Sequence, residues 1–345
     1  MTAAAGSRRV CLPPLDGDFF TQLQRVGKPL HQGTINDVIS SAVGLFGANF
    51  RVTLETMFTT VEQLAAMSGM RPSGGKQERR RFQRMRTCLL QALAGVLEES
   101  LTEHAEATTG SSSPASGTGY ALRTCRFHQK IVESLAYSDS VISLNYDCLV
   151  DVALRDHGHG RWNARYGYCL PMQPVGEGAW NPDPPASRGR SISLFKLHGS
   201  LHFGKHRRNV LRLKARPYSH MKKNQVLQFE IIPPESQKRL TDPTFRHIWS
   251  GAGTALQKTR TLVFIGYSFP PGDVHTAAFF RLRGTGRAAP KLRNLVVVNP
   301  DREARHRTVD IMRASMDRKT RVLVFDTLEE FSYVPRALWD SGRPK

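Results

Sequence analysis

The chain has 345 residues, of which 40% are hydrophobic, and carries 49 lysines and arginines against 29 aspartates and glutamates, a formal net charge of +20. This composition predicts a globular protein, and the longest apolar runs, at 261–266 and 295–299, fall far short of the about 20 residues that a membrane helix needs. A basic field attracts polyanions of any kind, whether nucleic acid, a dinucleotide or an acidic partner.

The N-terminal third is predicted to be helical. Its first residues contain no apolar segment of the kind that a secretory signal requires, so we expect a cytoplasmic protein. Apolar residues at helical spacing predict three helices, over 16–26, 34–46 and 51–67. Thr34 is predicted to be the N-cap of the second helix.

A strongly basic segment follows these helices. Residues 76–86 read KQERRRFQRMR and continue into an apolar helical pattern that ends near Ser100. Such a run is typical of a solvated helix face, and contact with nucleic acid is the alternative interpretation. Residues 103–119 are small and polar, which predicts a flexible loop. We therefore expect residues 20–135 to form a mainly helical module.

Residues 136–330 are predicted to form the core of the protein. Predicted strands lie at 141–147, 191–197, 225–234, 261–268, 293–301 and 321–325, with a hairpin over 200–215. Predicted helices lie around 127–138, 148–158, 245–258, 274–284, 302–315 and 326–331, and a loop covers 159–190. Apolar strands that alternate with helices are typical of a parallel sheet covered on both faces. The predicted fold class is α/β, a Rossmann-like doubly wound parallel sheet with the helical module as a cap or insertion, in one domain over 1–345.

Polar residues follow four of the predicted strands. The four strand ends carry Asn145 and Asp147; His198, Gly199 and Ser200; Gly266, Tyr267 and Ser268; and Asn299 and Asp301. Ligands of open parallel sheets bind beyond the carboxyl ends of the strands, so these ends should be neighbours in space. Each also has a structural interpretation, since Asp147, Asn299 and Asp301 suit turns and helix caps. Their coincidence at one sheet edge favours a ligand site.

These motifs match a known pattern. The ordered segments SLNYD, KLHGSL, IIPP and FIGYSFPPGD, with LPPLDGDFF near the N-terminus, closely resemble the sirtuin-like domains of bacterial proteins, many of them effectors of anti-phage defence. The resemblance extends from about residue 3 to residue 301. It implies a Rossmann-type NAD-binding domain with a smaller helical module, and it implies cleavage of the nicotinamide–ribose bond of NAD+ as the activity.

The resemblance also implies roles for individual residues. The implied catalytic pair is Asn145 and His198, and the implied cofactor-binding residues are Gly6 and Ser7 in the phosphate turn, Asp147 at the nicotinamide end, Gly266, Tyr267 and Ser268 at the phosphate or ribose, and Asn299 at the adenosine ribose. The residue types suit this reaction. An imidazole, with an ordinary pKa near about 6.5, accepts a proton near neutrality, and a neutral amide orients a water or a ribose hydroxyl.

The sequence departs from the family pattern at three points. The five cysteines include no C-x-x-C pair, so no structural zinc or other metal is expected. Leu144 stands where deacylating sirtuins usually carry glutamine, and both differences favour hydrolysis of NAD+ over deacylation. The phosphate turn over residues 3–7 has alanine at two glycine positions and no preceding strand, which predicts an incomplete or weakened turn.

The favoured hypothesis is an NAD+ glycohydrolase that depletes cellular NAD+ as a defence effector. With no recognisable sensor domain in the sequence, we expect an activating partner protein, a nucleic acid or self-assembly to trigger it, and no membrane to take part. An NAD-dependent deacylase or ADP-ribosyltransferase is the second enzyme hypothesis. A non-catalytic nucleotide-binding or nucleic-acid-binding module, using the basic helix at 76–86, is the third.

Overall fold

The computed structural model describes residues 17–26, 32–70, 75–104, 120–122, 125–170, 190–205, 211–213, 230–233, 242–285 and 289–340. The chain divides into two compact units. The first unit comprises Met1–Arg123 and Pro217–Gln237, and the second comprises Thr124–Arg216 and Lys238–Lys345. Every candidate site residue that the structure describes belongs to the second unit.

Helices dominate the first unit. Its helices are α1 Phe19–Leu23, α2 Gln32–Phe46, α3 Leu54–Ser68 and α4 Gly75–Leu101. These bounds confirm the three predicted helices and the basic one. Both α2 and α3 pack on α4. Thr53 is the N-cap of α3, because its hydroxyl oxygen accepts a 3.0 Å hydrogen bond from the amide of Thr56. The prediction of Thr34 as a cap was wrong, because α2 already includes Gln32 and Thr34 lies within the helix.

The basic segment 76–86 forms the first half of α4. Lys76, Arg80 and Arg84 are exposed there, as predicted for a solvated helix face. After α4, strands β1 Thr102–His104 and β2 Tyr120–Leu122 pair in antiparallel fashion. The predicted loop over 103–119 therefore begins within β1, and its residues from 105 onward lie outside the described residues.

A parallel three-stranded sheet forms the centre of the second unit. Strand β10 Asn294–Val298 lies between β9 Thr261–Ile265 and β11 Arg321–Phe325. All residues of β10 are buried, as expected for a central strand. Ile265 lies opposite Val298, and Val298 lies opposite Phe325. The three strands therefore end together, and the residues that follow them lie along one sheet edge.

A second parallel ladder pairs β3 Ser140–Ser143 with β4 Ser193–Lys196. The short strands are β5 Gly199–Ser200, β6 Phe203–Lys205, β7 Leu211–Leu213 and, in the first unit, β8 Glu230–Ile231. Strands β6 and β7 form the predicted hairpin. The parallel strands and helices confirm a mixed α/β fold. Within the described residues the two parallel ladders are separate sheets, so the doubly wound sheet stays a prediction.

Helices surround these strands in the second unit. They are α5 Arg126–Ser134, α6 Leu149–His157, α7 Ala164–Gly167, α8 Pro243–Lys258, α9 Val274–Thr285, α10 Arg302–Met312, α11 Leu328–Ser332 and α12 Arg336–Trp339. Helix α8 packs on β4 and on α9. The glycine-containing stretch 250–254 lies inside α8, as predicted, and a Cβ atom on Gly251 would lie 2.8 Å from Cε1 of Phe195. Glycine at this position therefore permits the close approach of α8 to β4.

The described residues form twelve α-helices in the two units. None of these helices combines the length and the apolar composition that crossing a membrane requires.

Candidate functional site

His198 lies just beyond the paired ends of β3 and β4, against the peptide group that joins Leu144 to Asn145. Ser143 lies opposite Lys196, and the ladder continues through a 3.0 Å hydrogen bond from the amide of Leu197 to the carbonyl of Ser143. Beyond this bond, the imidazole of His198 contacts the carbonyl oxygen of Leu144, the residue before Asn145. The structure therefore brings His198 to the backbone that carries Asn145.

The imidazole of His198 is buried, with 6% of the residue exposed. Its Nδ1 lies 3.1 Å from the carbonyl oxygen of Leu144. Because a carbonyl can only accept, Nδ1 carries the proton and donates, which leaves Nε2 of the neutral ring as an acceptor. The rings of Tyr146 and Trp249 lie on the imidazole at centroid distances of 6.2 and 6.3 Å. These contacts fix the orientation of the ring as well as its tautomer.

The acceptor nitrogen of His198 faces Asp273 and Thr276, just before and within the first turn of α9. Nε2 lies 3.9 Å from Oδ2 of Asp273 and 3.5 Å from Oγ1 of Thr276. Asp273 is itself buried, and its Oδ2 accepts hydrogen bonds from the hydroxyl groups of Tyr267 and Thr276. A carboxylate with these donors stays in place and favours a positive charge on the facing imidazole.

Tyr267 connects His198 to the other predicted strand ends. It follows Gly266, whose amide donates to the carbonyl of Val298 at 2.9 Å, and its own carbonyl accepts a 3.3 Å hydrogen bond from Nδ2 of Asn299. The hydroxyl of Tyr267 reaches Asp273, which faces the imidazole. The ends of β4, β9 and β10 therefore meet through one continuous chain of contacts, as the sequence predicted.

The backbone geometry of Gly266 would let a ligand approach the main chain closely. Its φ is +70°, a conformation that favours glycine, and no described heavy atom lies within 4 Å of where a Cβ atom would stand. A side chain at this position would fill the space that the strand end leaves open. The residue therefore suits a ligand group lying directly on the backbone.

Ser268 and Asp301 mark the exposed side of this edge. The carbonyl of Ser268 accepts a 3.0 Å hydrogen bond from Nε of Arg307, whose Nη2 lies 3.5 Å from Oδ2 of Asp301. Asp301 is also the N-cap of α10, because Oδ1 accepts from the amide of Glu303 at 2.8 Å. The helix-cap interpretation of Asp301 is confirmed, and Arg307 places a cation next to the predicted phosphate or ribose position.

The carboxylate of Asp147 binds the backbone at the start of α6. Its Oδ1 accepts a 2.9 Å hydrogen bond from the amide of Leu149, the first residue of α6. The N-cap of α6 is Cys148, so the prediction of Asp147 as the cap was wrong by one position. Strand β3 ends at Ser143, so the alternation that would place Asn145 and Asp147 on one side does not persist. Asn145 is exposed, whereas Asp147 is half-buried.

His128 on α5 lies near Asp147. Burial lowers the pKa of His128 below its ordinary value, and the charge of Asp147 offsets part of that effect. Within the described residues, the Nδ1 atom of His128 is buried without a hydrogen-bond partner. The neutral imidazole is therefore the favoured form of this residue in the folded protein.

A second group of polar side chains is buried behind the strand ends. Nζ of Lys196 lies 3.2 Å from Oδ2 of Asp151, and both side chains are fully buried. Tyr168 donates its hydroxyl hydrogen to Asp151. The potential ligand atoms of Cys148, Asp151 and His202 all lie within 4.8 Å of one another, close enough to coordinate a metal ion. The ammonium of Lys196 is the cation that this structure places against Asp151.

Two predicted site residues, Gly6 and Ser7, lie outside the described residues. Conversely, Asp273, Thr276 and Trp249 were not predicted to belong to the site. Asp273 comes five positions after Ser268, beyond two prolines and a glycine that mark a turn. A carboxylate between such a turn and a helix is typical of an ordinary helix cap, so the sequence gives no signal of its contact with His198.

The second unit is a parallel-strand α/β structure whose polar strand ends meet at one edge, the arrangement of proteins that bind ligands beyond the carboxyl ends of their strands. The sequence matches the SIR2-like domain family over residues 139–321, more than half of the chain, and the protein belongs to that family. The predicted sirtuin-like identity is thereby confirmed. SIR2-like domains use NAD+ and are generally enzymes. No curated protein matches the sequence.

Proposed function

We propose that the protein is an NAD+ glycohydrolase that cleaves the nicotinamide–ribose bond, with His198 as general base and Asn145 orienting the ribose or the attacking water. One observation carries the proposal. The fixed imidazole of His198 has its acceptor nitrogen 3.9 Å from the buried carboxylate of Asp273, and its other nitrogen lies against the carbonyl directly before the exposed Asn145.

The reaction needs a base more than an acid. The nicotinamide ring is a cation while it is attached to the ribose, and it leaves as a neutral molecule, so no protonation of the leaving group is required. Water adds to the positively charged ribose that develops, and its proton passes to Nε2 of His198. The resulting imidazolium faces Asp273, whose negative charge favours it. Such general-base assistance contributes about 10² to 10⁴ in rate.

The other strand ends suit the remainder of NAD+. The backbone at Gly266 is open to a close-lying phosphate or ribose, and the guanidinium of Arg307 lies next to Ser268. Asn299 reaches the same edge, with its side chain directed to the carbonyl of Tyr267. The α10 N-terminus begins beside these residues and favours an anion. Gly6 and Ser7 are proposed to complete the phosphate turn.

Two features of the sequence favour hydrolysis over deacylation. No pair of C-x-x-C motifs is present, and Leu144 replaces the glutamine that usually precedes the catalytic asparagine of deacylating sirtuins. We further propose that the protein is a cytoplasmic, zinc-free defence effector that lowers cellular NAD+. A partner protein or self-association is the proposed trigger of its activity.

The test is nicotinamide release from NAD+ by the purified protein, followed by chromatography. We expect His198→Ala and Asn145→Ala to lower the rate by at least about 100-fold. His157→Ala, which removes a histidine at the end of α6, is the matched control and should cleave NAD+ at the wild-type rate. Undiminished cleavage by both site variants would refute the assignment, and acyl-lysine-dependent release would favour the deacylase alternative.

A binding function for α4 is a second candidate. Its exposed cations, which include Arg80, Arg81 and Arg84, share one short stretch of helix, so phosphate groups along a nucleic acid strand could contact several of them together. Binding of a labelled RNA or DNA duplex should then weaken steeply with salt, and Arg80→Gln with Arg84→Gln should reduce the salt slope. A salt slope that these substitutions leave unchanged would exclude this surface.

A further inference from the structure

The buried ion pair of Lys196 and Asp151 lies directly behind residues 144–148, which we call the Asn145 loop. Both side chains are fully buried, with Nζ 3.2 Å from Oδ2. Removing two charges from water costs about as much as their attraction returns, so a buried pair adds little stability compared with apolar side chains of the same size. Stability alone is therefore a weak reason for placing charges here.

The ammonium of Lys196 also holds the backbone of the Asn145 loop. It donates a hydrogen bond to the carbonyl of Asp147. One residue earlier, the carbonyl of Tyr146 accepts a 3.0 Å hydrogen bond from the amide of Leu201, and the first carbonyl of the loop accepts from the imidazole described above. Between these anchored carbonyls, the side chain of Asn145 is exposed. The loop is thus fixed by its backbone while its functional side chain stays accessible.

The surroundings keep the ammonium charged and in place. Burial by itself would lower the pKa of Lys196, but the charges of Asp151 and Asp147 outweigh that effect and the pKa is raised. Tyr168 donates to Oδ1 of Asp151, so Oδ2 is directed to the ammonium. Burial raises the pKa of the Cys148 thiol well above its ordinary value, so the thiol stays protonated. The ammonium of Lys196 is therefore the charged partner that the structure provides for Asp151.

We propose that Lys196 is a positioning residue, whose ammonium is fixed by Asp151 and holds the Asn145 loop so that the exposed side chain of Asn145 keeps one direction. A charged donor binds a carbonyl more strongly than a neutral one. Loss of this hydrogen bond frees the peptide group after Asp147 to rotate, so the Asn145 loop loses its anchor on that side and the amide of Asn145 samples other directions. The inference rests on the proposed function only for the reaction that Asn145 serves.

The test compares three variants of the full chain. Lys196→Met leaves Asp151 as an unpaired buried charge and should destabilise the fold strongly. Lys196→Met combined with Asp151→Asn removes both charges and keeps an oxygen that accepts from Tyr168, so its urea midpoint should return close to that of the wild type. Arg283→Met is the matched control, because Arg283 is a buried cation that also donates to carbonyl groups, those of Leu256, Thr259 and Pro290.

Two readouts separate positioning from stability. In the double variant we expect amide hydrogen exchange within residues 144–149 to be faster by about tenfold or more despite the restored midpoint. NAD+ turnover should be lower by about tenfold or more through kcat, since a misplaced orienting group loses transition-state geometry. Arg283→Met should lower the urea midpoint without selective loosening of the Asn145 loop and with little change in kcat.

The proposal is overturned if the double variant regains the wild-type hydrogen exchange of the Asn145 loop and the wild-type turnover together with its stability. Lys196 would then be a structural residue. The exchange measurement does not require activity. If the wild type cleaves no NAD+, the proposed function fails, while unchanged or faster exchange in the Asn145 loop still decides whether Lys196 positions it.

Discussion

Replacing Asp273 by asparagine removes the negative charge that faces the acceptor nitrogen of His198. Shape and most contacts survive, because an amide oxygen still accepts from the hydroxyl groups of Tyr267 and Thr276. The remaining oxygen of Asp273 accepts a 3.3 Å hydrogen bond from the amide of Thr276. In the variant an NH2 group meets that amide, a loss of about 1–2 kcal/mol in stability.

The electrostatic loss is larger than this local one. The two side chains are only 7% and 9% exposed, and Nε2 lies 3.9 Å from Oδ2. Unit charges at that distance attract each other by about 4 kcal/mol at an effective dielectric constant of about 20. Only part of this energy is gained in the transition state, because the proton is partly transferred there. We therefore expect kcat to fall by about 100-fold, equivalent to about 3 kcal/mol.

The assay is steady-state nicotinamide release over a range of NAD+ concentrations. The loss should appear in kcat with KM nearly unchanged, because Asp273 faces the imidazole rather than the predicted phosphate and ribose positions. The matched control is Asp310→Asn, which neutralises an exposed aspartate of α10 paired with Arg313 and should leave both constants unaltered. A urea titration of each variant confirms that the folded fraction is the same.

A wild-type kcat in Asp273→Asn would refute the reasoning. It would show that the positive charge on His198 is not part of the rate-limiting transition state, or that His198 does not act as a base. A rise in KM at constant kcat would place Asp273 in substrate binding.

Three further predictions test the contacts around the site. Tyr267→Phe removes one of the hydroxyl donors to Asp273 and should lower kcat by about tenfold or less, and a wild-type rate would show that Thr276 alone suffices. Gly251→Ala should lower the free energy of unfolding by about 1–3 kcal/mol in urea titrations, because the added Cβ would lie 2.8 Å from Phe195. Adding Phe195→Leu to this variant should recover part of the loss. A Gly251→Ala variant more stable than the wild type would contradict the close packing. The pKa of His128 is lowered in the folded state, so as the pH falls the unfolded chain binds the proton first, and stability is lost below about pH 6.5. His128→Gln should therefore lose less stability than the wild type between about pH 7.5 and about pH 5.5. Equal losses would exclude this residue as a source of acid sensitivity.

The sequence predicted most of the helices and strands of the second unit from their patterns. Near-continuous apolar runs followed by polar residues marked the ends of β3, β4, β9 and β10, and the helix α8 was correctly separated from a glycine-rich phosphate loop. Strand ends were overestimated at β3, because Asn145 to Asp147 continue an alternating pattern although the backbone turns after Ser143. A turn that begins within such a pattern leaves no signal in residue type.

Only the tertiary structure decided how the predicted residues relate to one another. Pairing of β3 with β4 brought His198 to the carbonyl of Leu144, directly before Asn145, and packing of α9 brought Asp273 to the imidazole from 75 positions further along the chain. The same packing buried Lys196 against Asp151, two charges that the sequence alone would place at the surface. Residue type determines which groups can accept a proton or carry a charge. Their partners depend on which strand ends and helix starts lie together, and contacts between distant positions set that arrangement.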